Sequence, residues 1–274
     1  GADDAADGGQ RERSWAAHLA GLRNGDVDAA IQLCARLEPG SGSVWRDRAI
    51  AHAQSRFGET LVAALDQRLK SAHLSGQQVV GGLRLAGHLR DTTLAQGVAE
   101  CWRHDTQRAE RLADYLWAAS QCGGDRTAEL LSPICDAWAA LPATTDGQRP
   151  SPRDDLAAHS LAWALWRSLP EPALTYFMQR ASHEDLRWQI TYMLHGVDHP
   201  DAVTFLAHEV ADRLRALEGT ESFLPFETTI ADHWRRSQRE NHLAMSRRSR
   251  TRLWEIWSDA RNDKHLRKQS FRVW

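Results

Sequence analysis

Residues 184–217 read EDLRWQITYMLHGVDHPDAVTFLAHEVADRLRAL, and this stretch decides the fold. Leu186, Ile190, Met193, Leu194 and Val197 recur at helical spacing, so one amphipathic helix runs up to Gly196. Val203, Leu206, Ala207, Val210, Leu214 and Leu217 lay out a second apolar stripe. Between them Gly196–Val197–Asp198–His199 makes a tight turn. Pro200 and Asp201 then suit a first helical turn, where proline's missing N–H costs nothing and a carboxylate meets the positive end of the dipole. Neither helix can bury its stripe alone. The stretch therefore predicts similar helices on both sides and an all-α protein.

Working outward, the same form returns. Residues 13–38 place Trp15, Leu19 and Leu22 before an Asn24–Gly25–Asp26 break and Ala30, Leu33, Cys34 and Leu37 after it. Residues 44–73 predict one long helix or two, with a possible break at Gly58 before Leu61, Leu65 and Leu69. In 77–102, Val79, Leu83 and Leu85 precede a turn at Arg90–Asp91, and Leu94 and Val98 follow. In 107–140, Leu112, Leu116 and Ala119 lead to Gly123–Gly124–Asp125, then Ala128, Leu131, Cys135 and Trp138. Residues 154–181 offer Leu156, Leu161 and Leu165, a turn at 168–172, then Leu174, Phe177 and Met178. A last hairpin has Leu253, Ile256, Trp257 and Ala260, an Asn262–Asp263 start, and Leu266, Ser270, Val273 and Trp274. No β-alternation of useful length interrupts the pattern.

Composition divides the chain further. The small, acidic residues 1–12 predict a disordered lead-in. Helical repeats are expected over 13–140, a proline-rich loop or linker over 141–153, further repeats over 154–218, and a basic, Trp-rich helical segment over 219–274. With 42% apolar and 26% charged residues and no run of 18 apolar positions, a soluble, cytoplasmic protein is expected, with no membrane partner. Cys34, Cys101, Cys122 and Cys135 are scattered without a CxxC pair, which predicts reduced, buried thiols. Most of the twelve tryptophans fall within apolar stripes and are expected to pack between helices.

Aligned on the residue just inside each second helix, the units fall at Ala30, Leu94, Ala128, Ala173 and Ala202, at intervals of 64, 34, 45 and 29 residues. The small-residue turn followed by Asp-His-Pro-Asp-Ala-Val resembles a HEAT-type repeat, and the irregular spacing is similar to degenerate HEAT or armadillo-like arrays. That resemblance implies an α-solenoid of about six to seven helical hairpins. It also implies a non-catalytic recognition or scaffold role, binding a protein, peptide or nucleic acid on a curved surface. Residues 252–274, RLWEIWSDARNDKHLRKQSFRVW, resemble the helical repeats that follow the nucleotide-binding module of bacterial STAND-type NTPases. This implies a sensor part of a bacterial defence or signalling protein, antiviral defence included, joined to further domains of a longer chain. The last residue, Trp274, falls in the apolar stripe of its helix without a polar cap, which carries the same expectation.

Charge gives the functional hint. Residues 235–272 hold 12 Lys/Arg and 4 Asp/Glu, a net of about +8, while the remainder holds 22 basic and 32 acidic residues. Arg235, Arg236, Arg239, Arg247, Arg248, Arg250 and Arg252 are the densest cluster and the candidate partner- or phosphate-binding residues. The alternative function is therefore nucleic-acid binding through this segment. Some HEAT-like proteins resemble bacterial alkylpurine DNA glycosylases, and Trp163, Trp166, Arg187 and Trp188 would occupy the face that such enzymes use. The near-neutral overall charge weighs against that chemistry. No HExxH, GxSxG, GxxxxGK[ST] or strand-opening GxGxxG occurs, so no catalytic residue and no cofactor is assigned. His195, His199, His208 and Glu209 suggest a metal site only superficially. Gly196 and Pro200 set the first pair across a turn, so turn and surface histidines are expected, without a metal. His104–Asp105, Asp154–Asp155 and Glu184–Asp185 are expected at helix starts.

Overall fold

The computed structural model describes residues 16–36, 44–143, 151–156, 169–183, 185–216 and 245–274. Among them there are helices and turns and no strand. No helix is long and apolar enough to cross a membrane. The lead-in 1–12, the loop 39–43, the first helix expected after Leu156, and residues 217–244 with Arg235, Arg236 and Arg239 lie outside the described residues. The chain divides into two compact units at Pro142 and Ala143.

The first unit begins with α1, helical over 16–23, followed by α2 (Val27–Ala35) and α3 (Val44–Leu69). Then come α4 (Gly76–Leu89), α5 (Ala95–His104), α6 (Leu112–Cys122) and α7 (Thr127–Ala139). Local sequence sets the boundaries. Asp26 caps α2 by accepting from the backbone N–H groups of Asp28 and Ala29, filling two donors the helix cannot satisfy itself. Ser75 and Gln78 close a reciprocal capping box at the start of α4, and Arg90 ends that helix in the left-handed region at φ 55°. The break expected at Gly58 falls one residue earlier, at Phe57, whose non-helical backbone (φ −130°, ψ 19°) divides α3 into two helical segments.

These helices form two layers. The α4 helix packs mainly against α2, α6 and α3, while α5 packs on α3, α6 and α7. Helices of even number thus stack on one another, and so do those of odd number. The close stacking depends on missing side chains. A Cβ at Gly81 would lie 2.1 Å from the Ile31 carbonyl oxygen of α2, and one at Gly87 would lie 1.9 Å from Trp117 Nε1 of α6. Arg84 ties the even layer together: its guanidinium donates to Asp114 of α6 at 2.7 Å and to the Ala35 carbonyl at the end of α2 at 3.3 Å.

The second unit contains α8 (Pro152–Asp155), α9 (Glu171–Ala181), α10 (Arg187–Leu194), α11 (Pro200–Ala216), α12 (Arg247–Ser258) and α13 (Lys264–Val273). The stretch that decides the fold forms α10 and α11. Leu186, Ile190, Met193, Leu194, Val197, Val203, Leu206, Ala207 and Val210 are all buried, and Pro200 is the first residue of α11. The α12–α13 hairpin packs on α11 through two apolar clusters. One joins Val203, Met245 and Leu253, and the other joins Ala207, Ala211, Ile256 and Leu266. A polar latch completes the dock. Asp198, in the α10–α11 turn, accepts from the Ser246 N–H at 2.9 Å and the Ser246 hydroxyl at 3.0 Å. Ser246 is itself the N-cap of α12.

Several expectations need correction. Of the tryptophans with described side chains, only Trp117 and Trp138 are buried; Trp102, Trp188 and Trp257 are half-buried, and Trp254 and Trp274 are exposed. Ala128 faces solvent because Thr127, Leu130 and Leu131 set the buried face of α7. Ala260 is exposed because the α12–α13 turn has already begun there. Asp105 is the C-cap of α5, its backbone N–H donating to the Cys101 carbonyl, and its carboxylate reaches forward to accept from the Gln107 N–H in the turn that follows.

Candidate functional site

The sequence-predicted arginines separate in space. Arg247, Arg248 and Arg250 are exposed on α12, and among the described residues no carboxylate pairs with them. Arg252 is engaged differently. Its Nε donates to Thr204 Oγ1 of α11 at 3.1 Å, and it pairs with Glu255 one turn on at 3.2 Å. It serves as a dock between helices as much as a surface charge. Further along, Arg261 chelates Asp259 and holds that carboxyl well below its usual range, at about 2. Arg267 Nε is turned inward to the Trp257 carbonyl at 2.9 Å.

What composition alone did not reveal is the aromatic surface beside these arginines. Trp254 and Trp257 of α12 meet Phe271 of α13 and Trp274, the residue after it, in a closed four-membered cluster. Centroid separations are 4.6 Å for Trp254–Trp257, 5.3 Å for Trp257–Phe271, 6.2 Å for Phe271–Trp274 and 5.5 Å for Trp254–Trp274. Trp254, Phe271 and Trp274 remain 45%, 51% and 46% exposed. The helix geometry explains why. Leu253 and Ile256 point into the core of α12, and Leu266, Gln269 and Ser270 do so on α13. The paired rings at i and i+3 sit on the adjoining, solvent-facing side. That spacing, 254/257 and 271/274 offset from the leucines, was the available signal. Arg247, Arg250, Thr251, Trp254 and Trp274 line an open depression of about 450 Å³.

A smaller depression of about 210 Å³ lies in the first unit, lined in part by Gly76, Cys101, His104, Asp105 and Arg111. Its charges neutralise one another. Arg111 pairs with Asp105 at 2.5 Å and reaches Gln107 at 2.8 Å, while the Tyr115 hydroxyl lies 3.1 Å from Asp105 and 3.4 Å from Cys101 Sγ. Burial pushes the Cys101 thiol up to about 11, so it is no nucleophile near neutral pH. This group braces the α5–α6 connection.

Comparison with protein-family models, curated proteins and solved structures returned no match. The reading therefore rests on the geometry of the chain itself.

The remaining candidates are placed as follows. Arg187 is engaged by Glu209 through two hydrogen bonds of 2.6 and 3.1 Å, and Trp188 stacks on Tyr192. Trp163 and Trp166 lie outside the described residues. His195 is in the turn after α10, but it is buried and bonded to the Tyr192 carbonyl, not on the surface. Among the described residues no three His, Cys, Asp or Glu side chains come together in a way that could hold a metal ion. All four cysteines are buried and none is in a disulfide.

Proposed function

We propose that the chain is a recognition module made of HEAT-like helical hairpins, and that it engages its partner through the exposed face of α12 and α13. The observation that carries the reading is the aromatic cluster with its neighbouring arginines. Three large rings stand about half in water beside arginines that no described carboxylate neutralises. Exposed Trp and Arg side by side are the residue types that dominate binding surfaces, because each combines a large contact area with directional hydrogen bonding. The layered stacking in the first unit supports the α-solenoid reading, with α2, α4 and α6 in one row and α3, α5 and α7 in the other. A sensor role in a bacterial defence or signalling protein belongs to the same proposal and rests on the resemblance of residues 252–274.

The test places a photo-crosslinking amino acid at Thr251, within the depression, in the full chain. A crosslinked partner that disappears when Trp254→Ala and Phe271→Ala are introduced together supports the reading. Crosslinks that are indifferent to both substitutions overturn it.

A further inference from the structure

We propose that the occupant of the α12–α13 face is single-stranded nucleic acid, with bases stacked on the exposed rings and phosphates held by Arg247 and Arg250. This deepens the recognition reading and rests on it. The two halves of the surface match the two halves of a nucleotide. Stacking asks for flat, exposed side chains, and Trp254, Phe271 and Trp274 provide them within 6.2 Å of their neighbours in the cluster. Phosphate binding asks for guanidinium groups whose donors are not already taken by carboxylates. Arg247 and Arg250 line the same depression as the Trp254 and Trp274 rings.

Charge complementarity favours this occupant over an apolar protein segment. The thirty residues 245–274 carry nine Lys/Arg against three Asp/Glu. A purely apolar partner would cover the rings yet leave that charge uncompensated, whereas an oligonucleotide supplies base and anion in alternation. A duplex fits poorly, since its base faces are already stacked on one another. The rings here offer faces to be stacked upon. Arg252 is not part of the contact, because Thr204 and Glu255 hold it.

The experiment is fluorescence anisotropy with the full chain and a labelled homopyrimidine strand of about 12 nucleotides, within the site sizes that stacking surfaces cover. The matching hairpin duplex and anionic phospholipid vesicles serve as competitors across a salt series. The expected result is binding to the single strand at least tenfold tighter than to the duplex. The logarithm of the association constant should fall by about 1.4 per decade of salt, as two phosphate contacts at about 0.7 each require. Trp254→Ala should weaken binding about 5- to 150-fold, the cost of one lost base stack, while Trp254→Phe restores most of it. Arg247→Glu with Arg250→Glu should both weaken binding and flatten the salt slope. Circular dichroism melting of each variant separates loss of contact from loss of fold.

No salt-sensitive binding by the wild-type chain at low ionic strength overturns the proposal. So does binding that Trp254→Ala leaves unchanged, equal affinity for the duplex, or vesicles that displace the strand at equal phosphate concentration. The photo-crosslink at Thr251 distinguishes the two levels of the argument. A protein captured through the aromatic cluster, with no oligonucleotide bound, removes the nucleic acid and keeps the recognition reading. No cluster-dependent crosslink of any kind removes both.

Discussion

At the scale of single residues, His88 is a half-buried titratable group of the first unit. It lies on α4 with its ring edge-on to Trp117 at 5.6 Å, and among the described residues its Nε2 has no hydrogen-bond partner. Burial first, then the positive field of Arg46, lowers its pKa to about 4; Asp47 opposes the shift, and Arg90 and Arg84 reinforce it. The unfolded chain takes up this proton near pH 6.5, before the folded chain does. Stability is therefore complete above that pH and is lost as pH falls from about 6.5 towards about 4. The melting temperature should drop on acidification across this window, and His88→Gln should flatten that part of the profile. Gly81 gives a second test. Alanine there forces a methyl group against the Ile31 carbonyl, so Gly81→Ala should destabilise by about 1–3 kcal/mol, read as a lower urea midpoint with an unchanged slope. Arg84→Met should cost about 1–3 kcal/mol, because it removes the charge-assisted hydrogen bond to Asp114 and the bond to the Ala35 carbonyl.

At the scale of elements, the docking of α12 depends on a carboxylate from another helix pair. Asp198 fills the free N–H and hydroxyl of Ser246, which in turn caps α12 through the Ser249 N–H at 3.3 Å. Removing the carboxylate by Asp198→Ala should cost about 1–3 kcal/mol and accelerate amide exchange in the first turn of α12 more than in α10. Much of this scale was legible in the sequence. Gly196 through Pro200 fixed the α10–α11 turn, Asp26 closed a break and Asp263 marked a helix start, and the stripes from Leu186 to Val197 and from Val203 to Val210 are buried as their spacing requires. The relation between helices distant in the chain was not legible. Nothing in the periodicity of α4 says that its neighbours are α2 and α6, because that depends on two glycines whose absent side chains leave no mark in a hydrophobic pattern. The candidate site was half legible. The arginine cluster is a matter of composition, but the difference between Arg250 in water and Arg252 tied to Thr204 arises only when α12 meets α11. Aromatic rings read as core simply by being large and apolar; whether a ring at i+1 from a buried leucine is covered depends on what packs there.

At the scale of the whole molecule, each unit has its own buried core. Trp138 is fully buried in the first, and Leu253, Ile256 and Leu266 secure α12 and α13 in the second. Trp138→Ala should therefore lower the thermal stability of the first unit by about 4 kcal/mol. Below that transition it should leave oligonucleotide affinity within twofold of wild type, measured by the same anisotropy titration. A large loss would mean that the two units are energetically coupled. The partition of charge belongs to this scale too. A chain with a formal net charge of −2 carries nine Lys/Arg against three Asp/Glu in its last thirty positions and 25 against 33 in the rest, so its positive excess is concentrated in one segment.

The exposed rings also have optical consequences. The indoles of Trp254 and Trp274 face water, while those of Trp117 and Trp138 are enclosed. The solvent-facing pair should emit at longer wavelength and contribute the red edge of the spectrum, a contribution that Trp254→Phe reduces. Beside Arg247 and Arg250, iodide should collide with these chromophores more often than caesium does. The protein thus carries its own dye at the surface where it is proposed to bind, and a change in the ratio of the two quenching constants would report occupancy without any label.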